Sequence, residues 1–245
     1  MSILPKQAAV IVAAITAGFA TITQAEEPPC PFDESRSGLC GHYHSQISPA
    51  EAFLNAVVKR GNWSRPSERP VILDVRSISE YKAGHPEGAY NAPYPFIYDA
   101  CNAENPARHP DGACVSRGER IAQDDAAFVE YVQRTIPDKN RPVYVLCRTG
   151  VRSVGASNLL TDAGYTEVRN IWEGFVGIHL TAPKIVDFDE DGNPIRENLI
   201  VDLNHDGQID DRDKNGWRYH YGLPYETRLL PRLIYQDMAH LYAWD

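Results

Sequence analysis

Cys147 is the residue of this 245-residue chain whose surroundings most clearly favour chemistry. It follows the apolar run 142–146, and a helix-like stretch, 153–163, begins a few residues later. A buried strand, a short loop and a helix are expected there, so that backbone N–H groups and the helix N-terminus point at the cysteine. Such a setting stabilises a sulfur anion, and cysteine chemistry proceeds through the thiolate. The alternative is an inert cysteine buried at the end of a strand.

The segment Cys147-Arg-Thr-Gly-Val-Arg152-Ser resembles the active-site loop of rhodanese-family sulfurtransferases. Its four residues between the cysteine and the second arginine are one fewer than cysteine phosphatases use, which suits one extra sulfur atom better than a phosphate. Segments 71–91 and 163–174 resemble the first strands and the last strand of the same family, in the same order. The resemblance covers most of residues 48–177. It implies an α/β fold with a parallel sheet flanked by helices.

The resemblance also implies a mechanism. Cys147 takes the outer sulfur of a donor such as thiosulfate and becomes a persulfide, which a thiol or a cyanide-like acceptor then discharges. No cofactor is required for this catalysis. The loop N–H groups and Arg152 are expected to hold the persulfide anion, and Arg148 is expected to point outward and steer anionic donors. The predicted substrate-binding residues are Arg148, Thr149, Gly150 and Val151.

The elements that position this loop alternate between strands and helices, which is typical of a parallel α/β sheet. Strands are predicted at 71–75, 90–92, 142–146 and 167–171, and helices at 48–59, 77–83, 124–135 and 153–163. The first helix is expected to bury Ala50, Phe53, Leu54 and Val57. The stretch 95–120 is predicted to be a long polar loop. Asp74, Arg76, Glu80 and His85 are interpreted as structural residues.

The N-terminal residues 1–25 have the pattern of a secretory signal peptide, with Lys6, the apolar run 8–20 and a small-residue cleavage site. They predict a periplasmic or secreted protein that is not an integral membrane protein after cleavage, and a retained N-terminal anchor is the alternative. The net charge of −9 and the pI of about 5.4 argue against nucleic acid and anionic membrane surfaces as partners.

The chain has five cysteines, and an oxidising compartment makes disulfide bonds plausible. Four of them lie in loop-like segments, so Cys147 is predicted to be the free thiol. We expect the local pairs Cys30–Cys40 and Cys101–Cys114, although four cysteines allow three connectivities.

The predicted domain is interrupted near its end. A Cys-containing extension, 26–47, precedes the rhodanese-like segment 48–177, and an acidic insertion, 178–214, follows it. Residues 215–245 complete the domain and add a tail, because Asn215-Gly216-Trp217 and Gly222-Leu223-Pro224 look like family elements delayed by the insertion.

The insertion contains two segments with oxygen-bearing side chains at alternate positions before a glycine, as in calcium loops of the EF-hand type. Ten acids and two arginines between Asp187 and Asp213 also favour a counter-ion. Asp-Gly turns on a solvated face are the alternative. A structural calcium ion is predicted at the second segment, with the first left open. The predicted ligands are Asp202, Asn204, Asp206, Gln208, Asp210 and Asp213 in the second segment, and Asp187, Asp189 and Asp191 in the first.

Two functions of different classes follow from these patterns. The first is an exported sulfurtransferase that acts through a Cys147 persulfide on small-molecule donors and acceptors. The second is a binding or assembly module of the same fold, with the insertion and the C-terminal tail as a surface for a protein partner. The length of the Cys147 loop disfavours a phosphatase.

Overall fold

The computed structural model describes residues 41–243. The predicted signal peptide 1–25, most of the extension 26–47 and the predicted Cys30–Cys40 pair lie outside these residues.

A parallel sheet forms the centre of the fold, as predicted, and it has five strands, one more than the four that were predicted. Its strands are β1 (Ser45–Ile47), β2 (Val71–Asp74), β3 (Tyr90–Asn91), β6 (Val143–Leu146) and β7 (Val168–Ile171), in the spatial order β1-β7-β6-β2-β3. Every residue of β2 and β6 is buried, since helices cover both faces of a parallel sheet. These two strands pair from Val71 opposite Val143 to Asp74 opposite Leu146.

Four α-helices connect the strands: α1 (Pro49–Ala56), α2 (Ile78–Lys82), α3 (Asp125–Thr135) and α4 (Arg152–Asp162). Polar side chains cap the first three. Ser48, Ser77 and Asp124 accept hydrogen bonds from backbone N–H groups of the first turn. In α2 the Glu80 carboxylate also accepts from the Ser77 N–H group, which completes a capping box.

The prediction for the inner face of α1 was wrong by one position. The helix ends at Ala56, a 3₁₀ turn follows at Val58–Asn62, and the buried residues are Pro49, Ala52 and Ala56. Small side chains at these positions let the helix approach the sheet closely. Leu54 is 43% exposed, Ala50 and Val57 are half-buried, and Phe53 turns toward the ring of Trp217 at a centroid distance of 5.8 Å.

The stretch 95–120 is not the irregular loop that its composition predicted. It contains most of an antiparallel ribbon of β4 (Phe96–Cys101) and β5 (Arg117–Ala122). The predicted Cys101–Cys114 disulfide is confirmed, and it ties the end of β4 to the segment before β5. Five of the six residues of β5 are exposed and three are charged, so it has no apolar alternation by which the sequence could have indicated a strand.

The insertion 178–214 is likewise more regular than an acidic loop. β8 (Thr181–Phe188) and β9 (Pro194–Ile200) form an antiparallel hairpin whose residues are all exposed. Asp187 lies within β8, and Asp189 shapes the turn by accepting hydrogen bonds from the N–H groups of Asp191 and Asn193. The first acidic segment therefore lies at the end of a hairpin, and whether it binds calcium stays open.

The chain returns to the core after the insertion. Trp217 is completely buried, and its indole N–H donates to the Pro224 carbonyl at 3.0 Å. Gly216 lies so close to Val176 that a Cβ atom there would come within 2.2 Å of the Val176 carbonyl carbon. The segments on both sides of the insertion thus share one hydrophobic core. Between residues 41 and 243 no helix has the length and apolar character that a bilayer span requires.

Candidate active site

Cys147 follows β6 directly and is completely buried. Its sulfur accepts a hydrogen bond from the Gly150 N–H group at 3.1 Å and one from the Ser153 hydroxyl at 3.3 Å. It is the free cysteine within residues 41–243, as predicted. Both donors face the sulfur because the loop curls back over β6 before α4 begins. This arrangement is suited to stabilising negative charge on sulfur.

Two glycines make the tight curl of the loop possible. Gly150 has a φ of +82°, and a Cβ atom there would lie 1.7 Å from the Trp172 carbonyl oxygen. Gly174 has a φ of +70°, and its Cβ would lie 2.6 Å from the Thr149 nitrogen. The turn after β7 is therefore in direct backbone contact with the reactive loop. It is held there by the Phe175 N–H group, which donates to the Cys147 carbonyl at 2.8 Å.

Arg152 begins α4, but its guanidinium group is bound to another residue. Two of its nitrogens donate to the Glu80 carboxylate at 2.8 and 2.6 Å, in a bidentate pair. Burial alone would raise the pKa of Glu80, yet the charge and hydrogen bonds of Arg152 lower it to about 2. Arg152 was expected to hold the persulfide, but its guanidinium group binds the buried carboxylate of Glu80. Glu80 had been interpreted from the sequence as a purely structural residue.

Arg148 is held by an ion pair and so does not point freely outward, while its expected role in steering anionic donors stays a prediction. Its Nε donates to the carboxylate of Asp111 at 2.6 Å, and Asp111 is buried under the segment next to the disulfide. The arginine side chain remains 27% exposed. Its two Nη groups make no hydrogen bond within the described part of the chain, so they are available to a ligand.

A cleft of about 760 Å³ opens above the reactive loop, with the β4–β5 ribbon as one wall. Thr149 and Val151 of the loop line its floor. Four arginines line it against two carboxylates, those of Glu80 and Asp99, and each of these carboxylates already pairs with one of the arginines. Asp111, outside the lining, pairs with Arg148, so one arginine of the lining has no carboxylate partner among the described residues, and the cleft keeps a net positive charge suited to an anion. The lining arginines are Arg117, Arg120, Arg148 and Arg152.

Sequence reasoning missed the two arginines of the ribbon. Arg120 donates to Asp99 at 3.1 Å and lies over the Phe96 ring at 4.1 Å. Arg117 is exposed and forms no ion pair with any described residue. No motif in the chain marks them, because pairing with β4 and the disulfide bring them to the cleft. These two arginines could have been identified only if the β4–β5 ribbon itself had been predicted.

The residues interpreted as structural are buried next to the loop. Arg76 donates to both oxygens of Asp74, with Nη2–Oδ2 at 2.6 Å, and its guanidinium group lies 3.9 Å from the centre of the Phe175 ring. His85 stacks on Tyr81 with a centroid distance of 3.7 Å, and burial lowers its pKa. These contacts support the Phe175 side of the reactive loop.

The second acidic segment forms one compact loop. Asp202 accepts a hydrogen bond from the Gly207 N–H group at 2.7 Å, and Asp213 accepts from the Leu203 and Asp210 N–H groups at 2.8 and 2.9 Å. Arg212 pairs with both Asp206 and Asp210 at 2.7 Å. The described residues contain no group of three or more His, Cys, Asp or Glu side chains arranged around a metal position. Calcium binding there stays a prediction.

The buried Glu80–Arg152 pair yields a testable prediction. Glu80→Gln should lower the free energy of unfolding at pH 7 by about 3 kcal/mol, because it leaves a buried guanidinium without its counter-charge. The pKa of Glu80 is near 4.5 when unfolded and about 2 when folded, so the wild type should lose this stabilisation as the pH falls from 4.5 toward 2. Urea denaturation across this range should show that loss in the wild type and not in the variant.

Glu130→Gln is the matched control for this experiment, because Glu130 pairs with Arg134 at 3.8 Å on the surface. It should leave the free energy of unfolding nearly unchanged. Equal acid dependence in the wild type and Glu80→Gln would contradict the assignment.

A protein-family profile and several known proteins match this chain. The profile of the Rhodanese-like domain matches residues 59–181, half of the chain. Rhodanese-like domain-containing protein 10 of Arabidopsis thaliana is 28% identical over 140 residues, covering 54% of this chain and 65% of its own length. Thiosulfate sulfurtransferase 16, chloroplastic, of the same plant is 29% identical over 103 residues, covering 42% of this chain and 68% of its own.

Among solved structures, the crystal structure of Rv0390 from M. tuberculosis matches with a TM-score of 0.38 and 23% identity, covering 76% of this chain and 99% of that one. The chain spans 65% of the length of the first plant relative and 45% of senescence-associated protein DIN1 of Raphanus sativus. Since the profile covers half of the chain, from the end of the first helical segment to the start of the insertion, the chain belongs to the rhodanese-like domain family.

Proposed function

We propose that this protein is an exported sulfurtransferase. The Cys147 thiolate attacks the outer sulfur of thiosulfate, the S–S bond of the donor breaks, and sulfite leaves with the bonding pair. An acceptor thiolate or cyanide then attacks the outer sulfur of the persulfide and restores the Cys147 thiolate. The observation that carries the proposal is the free Cys147 at the end of β6, with the Gly150 N–H group and the Ser153 hydroxyl donating to its sulfur.

The cleft above the loop supports an anionic sulfur donor. Arg148 offers unused guanidinium N–H groups at the floor, and Arg117 stands without an ion pair among the described residues on the ribbon wall. Arg152 acts differently in this proposal. Its charge is balanced by Glu80, so it positions the first turn of α4 and its N–H groups.

Export is proposed from the signal-like sequence of residues 1–25. The Cys101–Cys114 disulfide supports it, because such bonds persist mainly in oxidising compartments such as the periplasm or the extracellular space.

Cys147→Ser tests the mechanism. In a thiosulfate:cyanide assay we expect this variant to lose at least a thousandfold in kcat, because a serine hydroxyl cannot form a persulfide. Intact mass spectrometry should show a gain of one sulfur atom in the wild type after thiosulfate, reversed by cyanide and absent from the variant. Ser153→Ala, which removes only one of the donors to the sulfur, should retain the mass gain. Undiminished activity of Cys147→Ser would refute the proposal.

Arg117→Gln tests how the donor is recognised. The KM for thiosulfate should rise about three- to tenfold with little change in kcat, since the guanidinium group attracts the anion and lies apart from the reacting sulfur. Arg65→Gln is the matched control, because Arg65 is exposed and lies outside the cleft. An unchanged KM, or an equal rise in the control, would contradict this role of the cleft.

A second candidate function is docking to a protein partner, and the β8–β9 hairpin favours it. An isolated two-stranded hairpin is marginally stable in water, yet this one exposes several large apolar side chains. Phe188 is 60% exposed, and Ile185 is 45% exposed. Replacing both with Ser should leave sulfur transfer intact and abolish co-purification of a partner from the native source. A partner retained by the variant would reject the hairpin as its docking surface.

We also propose a structural calcium ion at the second acidic segment. Asp202 favours it, because its Oδ1 is buried without a hydrogen-bond partner. Arg212 would have to release Asp206 and Asp210 to the ion. The proposed ligands are Asp202, Asn204, Asp206, Gln208, Asp210 and Asp213.

Calorimetric titration with calcium should show one site, and a chelator should lower the melting temperature. Asp202→Asn should weaken binding about tenfold or more, since it removes charge from a ligand. Asp187→Asn should not, because Asp187 belongs to the β8 strand. A folded wild type that gives neither heat nor a shift in melting temperature would end the calcium proposal.

A further inference from the structure

Two identical tripeptides precede the two central strands. Arg69-Pro70-Val71 leads into β2, and Arg141-Pro142-Val143 leads into β6. Val71 pairs with Val143, and the Val71 N–H group donates to the Pro142 carbonyl at 3.0 Å. Neighbouring strands lie about 4.8 Å apart, so the pairing places Arg69 and Arg141 side by side. They lie at the amino ends of the strands, at the edge of the sheet opposite to Cys147.

These two arginines lie close together at the amino ends of the strands. The Arg141 Nε donates to the Arg69 carbonyl at 2.8 Å, and the Arg69 Nε is buried with no hydrogen-bond partner. Neither forms an ion pair with a residue between 41 and 243. Burial lowers the pKa of Arg141 and the charge of Arg69 lowers it further, while Tyr90 and the carboxylate of Asp138 act in the opposite direction. Two like charges held in this way favour an anion between them.

Arg69 and Arg141 line a cavity of about 200 Å³ together with Arg60 and Arg232. One carboxylate lines it as well, that of Glu87, whose side chain is 57% exposed and lies 3.4 Å from Arg60. Arg60 is held in place, because its Nη2 donates to the Glu87 carbonyl at 2.9 Å. Arg232 is exposed and unpaired within the described residues. The cavity thus has four guanidinium groups against one carboxylate.

We propose that this cavity is a binding site for a small oxyanion with two negative charges, such as sulfate, sulfite or phosphate. Guanidinium groups bind such ions with paired N–H donors, and several of the N–H groups here have no hydrogen-bond partner among residues 41–243. The volume of about 200 Å³ admits a tetrahedral ion. The site is separate from the cleft above Cys147 and does not depend on the proposed sulfur transfer.

The test is calorimetric titration of the full chain with sulfate, sulfite and phosphate, each compared with sodium chloride at equal ionic strength. We expect saturable binding of at least one divalent oxyanion that chloride does not reproduce. The dissociation constant should rise about tenfold or more in Arg141→Gln and about threefold or more in Arg232→Gln. Arg65→Gln, outside the cavity, is the matched control and should bind as the wild type does, whereas Arg117→Gln reports any binding of the anion in the cleft above Cys147.

Several results would overturn the proposal: no saturable binding beyond that of chloride, wild-type affinity in Arg232→Gln, or a loss confined to Arg117→Gln. Arg141→Gln also loses the hydrogen bond to Arg69, so Arg232→Glu provides a test that does not depend on its folding. This variant supplies the missing negative charge at an exposed position. It should melt at a higher temperature than the wild type without added anion and should no longer respond to sulfate. An unchanged melting temperature together with a wild-type response would reject the site.

The anion that binds most tightly distinguishes the source of the ligand, and either result supports the site. Preference for sulfate or sulfite indicates a sulfur oxyanion, and preference for phosphate indicates inorganic phosphate.

Discussion

The parallel pairing of β2 with β6 is the constraint on which the rest of this structure depends. Both strands are buried along their whole length, and their backbone N–H and C=O groups must be satisfied within the sheet. The register, from Val71 opposite Val143, fixes which residues lie side by side at both ends of the two strands. The next residues after the two strands are Val75 and Cys147, which lie at the same edge of the sheet. The amino ends place Arg69 beside Arg141 at the other. Because the strands are parallel, one edge collects their carboxyl ends and the other their amino ends, so the two edges carry different residues.

At the carboxyl edge, buried carboxylates hold the arginines around the reactive loop. Glu80 holds Arg152, Asp111 holds Arg148, and Asp99 holds Arg120 on the ribbon. Each buried ion pair incurs a desolvation cost that good geometry offsets. What the fold gains is a fixed arrangement of donors, since an arginine tied by one nitrogen still presents the others to a ligand. A cleft built in this way needs little reorganisation when an anion enters.

The β4–β5 ribbon and the β8–β9 hairpin are additions to the domain, and only the ribbon takes part in the cleft above the reactive loop. The β4–β5 ribbon is stapled by Cys101–Cys114 and forms a wall of the cleft, so it is part of the candidate site. The β8–β9 hairpin leaves the domain and is exposed on every residue. After the hairpin the chain returns to the domain, where the backbone of Gly216 lies in close contact with that of Val176. This contact allows Trp217 to fill the core beside Phe53. The hairpin is thus an extension that the core tolerates.

The sequence by itself determined the features that depend on local periodicity and on short motifs. The parallel sheet, the Cys147 loop, the Cys101–Cys114 pair and most helix limits were predictable. Burial on both faces produces continuous apolar strands, and capping requires particular residues at helix starts. Only the tertiary structure decided the partners of the arginines. Glu80 meets Arg152 across 72 positions of the chain, and Arg117 reaches the cleft through strand pairing with β4. An ion pair between residues so far apart has no periodic signal in the sequence, because it depends on where the backbone of each partner has already been placed.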